Sequence, residues 1–204
     1  MLTRRSFIAC AALLALGSWV VPPAFAQSGD KSAVAFIQTL GNETIATFAD
    51  KSLSRQQAVT RFKSLLNKGF DVPYIGRWVL GRYWNQASPQ EQQEYQRLFE
   101  QLVVETYANR FVDYAGETFK ITGSAPAGEN DSMVATQVVR TNGPPINVEW
   151  RVRSRDSSHK IIDVVVEGVS MGVTQRSEFA SVIQSNGGRV AGLIDALRQR
   201  VGKG

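Results

Sequence analysis

The sequence predicts an α+β fold, with a run of strands between two groups of helices. Three observations carry this reading. Apolar residues recur at three- and four-residue steps through the first half of the chain, the period shortens to two after Gly116, and helical spacing returns towards the C-terminus. Helices first, then strands, then helices again imply a twisted antiparallel sheet of about four strands, packed by one face against the helices.

The first 26 residues stand apart. They begin with Arg4 and Arg5, continue apolar from Phe7 to Val21, and close on Ala24-Phe25-Ala26. This order is expected of a secretory signal cleaved after Ala26. The run Thr3 to Ile8 also resembles the twin-arginine export signature. Residues 27–204, 178 of the 204, then form a single domain large enough for a substantial core. Cys10 is the only cysteine and would leave with the signal, so neither disulfides nor thiolate metal sites are expected. Removing Arg4 and Arg5 lowers the net charge from +5 to +3, an ordinary solvated surface.

Within the expected mature chain, Val34, Ile37, Gly41, Ile45 and Phe48 mark one face of a first helix. Ser54 to Gln57 reads as a capping box opening a second, with Ala58, Phe62, Leu65 and Leu66 as its stripe and Gly69 as its stop. Ser88-Pro89-Gln90-Glu91 is a stronger start, with a Ser cap, Pro in the first position and Glu three residues after the cap. It opens a long helix striped by Tyr95, Leu98, Phe99, Leu102, Val103, Tyr107 and Phe111.

Phe119 and Ile121 then alternate with polar residues, and a strand is expected near 133–141. Val148, Trp150 and Val152 alternate with Glu149, Arg151 and Arg153, so one face is buried and the other wet. In the next strand Ile162, Val164 and Val166 share a face, opposite Ile161, Asp163, Val165 and Glu167. Phe179, Val182 and Ile183 mark a further helix, and Val190, Leu193, Ile194 and Leu197 a last one after Gly187-Gly188.

Catalytic chemistry finds little support. The single histidine, His159, is expected in a polar hairpin turn, and metal sites lack their commonest ligands. Asp163 and Glu167, four residues apart on a strand, would lie roughly 13 Å from each other, too far for a carboxylate pair. No catalytic residue, metal or cofactor is assigned. Arg77, Trp78, Arg82, Tyr83 and Trp84 interleave cations with aromatics, but the net charge is too weak for a nucleic-acid partner. The apolar excess of residues 69–87 fits a packed core and a ligand pocket equally well.

Several phrases together are more specific. FDVPYIGRWVLGRYW, SPQEQQEYQRLFEQLVVETYANRFVDYAGE, VEWRVR, KIIDVVVEGVSMGVTQRSEF and GGRVAGLIDALR resemble, in this order, the MlaC family, also called the toluene-tolerance protein family. That resemblance covers nearly all of residues 27–204. It implies a non-enzymatic periplasmic carrier that shuttles phospholipid between an outer-membrane lipoprotein complex and an inner-membrane ABC transporter complex of the Mla type, maintaining outer-membrane lipid asymmetry. The bound phospholipid is cargo, held in a hydrophobic cavity between sheet and helices. A sister branch associated with hopanoid lipids shares the pattern, and a ligand-free envelope docking protein is the other alternative.

Such a carrier must shield hydrocarbon at about 0.8 kcal/mol per methylene, on the order of 20 kcal/mol for two tails. The lipid-facing wall implied by the resemblance comprises Ile75, Val79, Leu80 and Tyr83 in the aromatic stretch, and Leu102, Val103 and Tyr107 in the long helix. From the strands it takes Val148, Trp150, Val152, Ile162, Val164 and Val166. Arg77 and Arg82 are candidates for a charge-assisted contact with the headgroup phosphate, or for ion pairs between helices.

Overall fold

The computed structural model describes residues 30–50, 52–112, 116–156 and 158–201. The expected signal segment, with Arg4, Arg5 and Cys10, lies outside these residues, and so does the side chain of Phe111.

Helix α1 (Lys31–Ala49) starts at Asp30, whose carboxylate accepts the Ser32 backbone N–H at 2.8 Å. Helix α2 (Arg55–Gly69) opens on the expected capping box, with Gln57 N–H on Ser54 Oγ and Ser54 N–H on Gln57 Oε1. The aromatic stretch forms helix α3 (Val72–Leu80), capped by Asp71 with Pro73 in its first turn, and continues as a 3₁₀ helix over Gly81–Gln86. Helix α4 (Pro89–Val112) begins where Ser88 and Glu91 exchange backbone and side-chain hydrogen bonds.

Strands β1 (Thr118–Pro126), β2 (Asp131–Val139), β3 (Ile146–Arg155), β4 (Ser158–Val166) and β5 (Val169–Ser170) form one antiparallel sheet in sequential order. Strand β2 starts two residues before the expected position. The fifth strand is only two residues long and follows a two-residue turn at Glu167-Gly168. Both turn residues have positive φ, 49° and 79°, the left-handed conformation that a tight hairpin needs and glycine adopts without cost. Helices α5 (Met171–Ser185) and α6 (Val190–Val201) close the described chain.

Two apolar clusters result. The larger joins α2 to α6 around Tyr95, Leu98, Phe99, Phe179, Ile183 and Leu193. Tyr95 is fully buried, stacks on Phe99 at 5.9 Å, meets Phe179 edge-on at 6.1 Å, and donates its hydroxyl to Gly76 O at 2.9 Å. Burial pushes its phenol pKa up, so it is neutral at any physiological pH. The smaller cluster joins α1 to one face of the sheet through Ala33, Ile37, Val134, Val152 and Ile161. Phe70 packs against both, and the residue after it donates its N–H to Ile161 O at 3.0 Å, stitching the helical layer to the edge of β4.

The opposite face of the sheet holds its charges in a network. Asp131, 7% exposed, receives Arg153 Nε at 2.8 Å on one oxygen, and Arg153 Nη2 and Arg151 Nε at 3.0 Å on the other. Arg153 also lies over the Tyr74 ring at 4.7 Å, tying α3 to β3. The Arg153 hydrogen bonds hold the Asp131 carboxyl below its ordinary range. The depressed folded-state pKa makes this stabilisation present above the unfolded value of 3.8 and lost as pH falls through and below it. Asp131→Ala will therefore lower unfolding stability by about 3 kcal/mol at neutral pH, since it leaves two guanidiniums without their partner. In urea titrations the gap from wild type narrows on acidification below pH 3.8.

His159 does not lie in a turn. It is the second residue of β4, where its ring faces Phe36 at 5.6 Å and its Nδ1 lies 2.8 Å from Ser154 Oγ. The ladder to β3 runs two residues beyond the valine alternation, and this draws the histidine into the sheet.

Candidate hydrophobic binding site

A cavity of about 390 Å³ separates the middle of α1 from the sheet. One wall is a single helical stripe. Ile37, Leu40, Gly41, Thr44, Ile45 and Phe48 follow one another at three- and four-residue steps and all line it. Gly41 lets β1 come close, because a Cβ there would overlap the ring edge of Phe119, which would have to shift. The facing wall is the sheet, with Phe119, Val138, Val148, Trp150, Ile161, Val164 and Val166 from four strands, and Phe62 of α2 closes one side. Glu117, Thr118 and Thr44 are the polar members of the lining.

The one polar group on the large aromatic of this wall is internally satisfied. Trp150 Nε1 donates to Thr136 Oγ1 at 2.9 Å, and the Thr136 hydroxyl donates to Val148 O at 2.9 Å. Among the described residues no buried side-chain polar atom is left without a hydrogen-bond partner. The tryptophan thus presents its ring to the cavity while its N–H is used within the sheet. Thr136→Val keeps the shape but orphans that N–H. Its cost will be about 1–2 kcal/mol of unfolding stability, readable in urea titrations.

A bulge sets which β4 residues reach the cavity. Arg151 pairs with Asp163, but Val152 pairs with Ile161, so Ile162 is the extra residue. Strict alternation puts Ile162 with Val164 and Val166. The bulge instead returns Ile161 to their face, where it lines the cavity, while Ile162 is buried away from the lining.

Of the strand residues expected at the wall, Val148, Trp150, Val164 and Val166 line the cavity. Val152 sits beyond its end, fully buried in the packed contact with α1. The helical candidates are placed elsewhere. Val79, Leu80, Tyr83 and Leu102 are buried in the helical cluster, and Ile75, Val103 and Tyr107 pack around it. The reason is steric: α3 and α4 spend their apolar faces on α5, α6 and each other, and α1 is what covers the cavity face of the sheet. Arg77 and Arg82 are exposed and lie outside the lining, the first over Trp84 at 5.7 Å and the second over Tyr83 at 5.0 Å. Neither forms an ion pair among the described residues.

Sequence reasoning missed α1 as the wall. Its signal was the polar Thr44 on an otherwise apolar stripe. Asp163 and Glu167 have structural roles. Asp163 accepts Ser170 Oγ at 2.6 Å and Gly172 N–H at 3.0 Å, anchoring the start of α5, and Glu167 accepts Asn147 N–H. No cluster of metal-ligating side chains occurs among the described residues. Among them, too, no helix is long and apolar enough to cross a membrane.

Comparison with known proteins places this cavity in context. The toluene tolerance protein ttg2D of Pseudomonas putida is 24% identical over 122 residues, covering 60% of this chain and 57% of that protein. The intermembrane phospholipid transport system binding protein MlaC of Haemophilus influenzae is 24% identical over 133 residues, covering 63% and 61%. The chain therefore spans about three fifths of the length of these curated relatives. A solved structure, the phospholipid-binding protein from Ralstonia solanacearum in complex with a phospholipid, has a TM-score of 0.73 at 28% identity, covering 84% of this chain and 97% of that one. The family profile described as MlaC protein matches residues 38–199, from the cavity stripe of α1 to the end of α6. The chain belongs to the MlaC family.

Proposed function

We propose that this protein is a non-enzymatic phospholipid carrier, and that acyl chain is held between α1 and the sheet. The observation that carries the reading is the cavity itself. At about 390 Å³ it lies within the range of ligand sites, roughly 300–1,000 Å³. Its wall is almost wholly aliphatic and aromatic, and its tryptophan N–H is already satisfied. Such a wall recovers the free energy of burying hydrocarbon without fixing any polar group of the ligand. It therefore suits a tail better than a headgroup, and leaves the headgroup towards solvent.

The phospholipid named for the Ralstonia solanacearum structure and the transport system named for the Haemophilus influenzae relative support the same reading. The finer proposal is a periplasmic shuttle, exported by the N-terminal signal, that exchanges lipid with an inner-membrane ABC transporter complex of the Mla type and an outer-membrane lipoprotein complex. In this role it maintains the lipid asymmetry of the outer membrane. Native mass spectrometry of the purified protein, followed by solvent extraction, is expected to show one folded species carrying phospholipid. A protein that emerges ligand-free and takes no lipid from vesicles would sink the proposal, and an extracted hopanoid-related lipid would reassign the cargo.

A further inference from the structure

The large apolar side chains exposed among the described residues are Val139, Val169 and Val173, and all three belong to one end of the molecule. Val139 ends β2, one residue after Val138 of the cavity wall. Val169 pairs directly with Val166 across the β4–β5 hairpin, so the two side chains share a face. Val166 lines the cavity and Val169 is 52% exposed. The apolar wall therefore continues past the hairpin to the outside. Val173, in the first turn of α5, is 56% exposed at the same end of the sheet, on the side where Asp163 holds the start of that helix.

Two guanidiniums flank this apolar rim, and both rest on neutral groups. Arg140, next to Val139, donates Nε and Nη2 to Pro144 O at 3.1 and 2.8 Å. Arg176, one helical turn after Val173, lies over the Trp78 ring at 5.2 Å. Neither makes an ion pair among the described residues. The carboxylate of the hairpin, Glu167, is turned back onto Asn147 N–H. Glu117, next to the Thr118 that pairs with Val139, is another carboxylate at this end.

We propose that this end of the sheet docks the protein onto an anionic phospholipid bilayer, with Val169 and Val173 entering the interface and Arg140 and Arg176 meeting lipid phosphates. Exposed apolar side chains beside guanidiniums are what a shallow bilayer contact needs. Continuity with the cavity wall favours a bilayer over an acidic protein surface, because a tail leaving past Val166 meets Val169 and then hydrocarbon. The inference rests on the carrier reading only for that last step.

Vesicle co-sedimentation tests it, using vesicles of phosphatidylglycerol with phosphatidylethanolamine and, separately, of phosphatidylcholine alone. Wild type is expected to sediment with the anionic vesicles and much less with phosphatidylcholine. The Val169→Glu/Val173→Glu variant should lose at least about fivefold of the bound fraction, and Arg140→Gln/Arg176→Gln should lose the preference for anionic vesicles. Val169→Ser/Val173→Ser gives a milder variant should the glutamates impair folding, which thermal melting reports. Wild type that binds neither vesicle overturns the proposal and leaves an acidic protein as the occupant of the rim. Variants that sediment like wild type overturn it equally. Native mass spectra of the same preparations keep the two readings apart: lipid-loaded protein that ignores vesicles refutes the docking alone, and lipid-free protein that binds them refutes the carrier alone.

Discussion

Val164→Arg protein will purify folded with its lipid occupancy reduced at least about tenfold, as read by native mass spectrometry and lipid extraction. Val164 is half-buried in the sheet wall and pairs across the ladder with Trp150, so a guanidinium there enters the space between α1 and β4. An unpaired charge in apolar surroundings costs several kcal/mol, and each 1.4 kcal/mol is a factor of ten in affinity. The empty protein escapes most of that cost, because water can reach a cation in a vacant cavity. The loss therefore falls on binding more than on folding. Val164→Phe, neutral and larger, separates charge from volume, and it is expected to retain more lipid than the arginine variant. Equal and full occupancy in the folded arginine variant would remove β4 from the binding wall.

Tyr95→Ala is expected to have the opposite profile, with unfolding stability lowered by about 4 kcal/mol and the lipid content of the surviving folded protein unchanged. Truncating a fully buried aromatic removes its transfer free energy and leaves a cavity, together roughly 3–5 kcal/mol. The ring contacts to Phe99 and Phe179 and the hydrogen bond to Gly76 O vanish with it. Urea titration gives the first quantity and lipid extraction the second. A parallel fall in lipid content would show that the helical cluster and the cavity act as one unit.

The contrast between these two variants reflects what could be read from the sequence. The α+β class, both capping boxes, the long helix and the alternation of β3 were legible because each depends on local spacing or on a cap. The cavity was legible only by halves. Val148 and Trp150 follow from alternation, but nothing in residues 72–83 says whether an apolar helix faces a ligand or other helices. That choice is made by α5 and α6, which lie about a hundred residues further along and cover α3 and α4. The dependence of Trp150 on Thr136 arises from two strands whose register the sequence does not state. Ile162 was misplaced for a related reason. Period-two reasoning assumes an unbroken ladder, and a one-residue insertion leaves no mark in composition.

The bulge at Ile162 lets odd- and even-numbered residues of one strand, Ile161 on one side and Val164 and Val166 on the other, face the same cavity. Deleting that one residue would close the ladder on its existing pairs, Val152 with Ile161 and Arg151 with Asp163, and would leave Ile161, Val164 and Val166 on the cavity face. Lys160 would stay opposite Arg153 and keep its hydrogen bonds to Asn67 O and Lys68 O. Any alignment used to transfer cavity positions within this fold must therefore be read as two segments, with opposite parity on either side of residue 162.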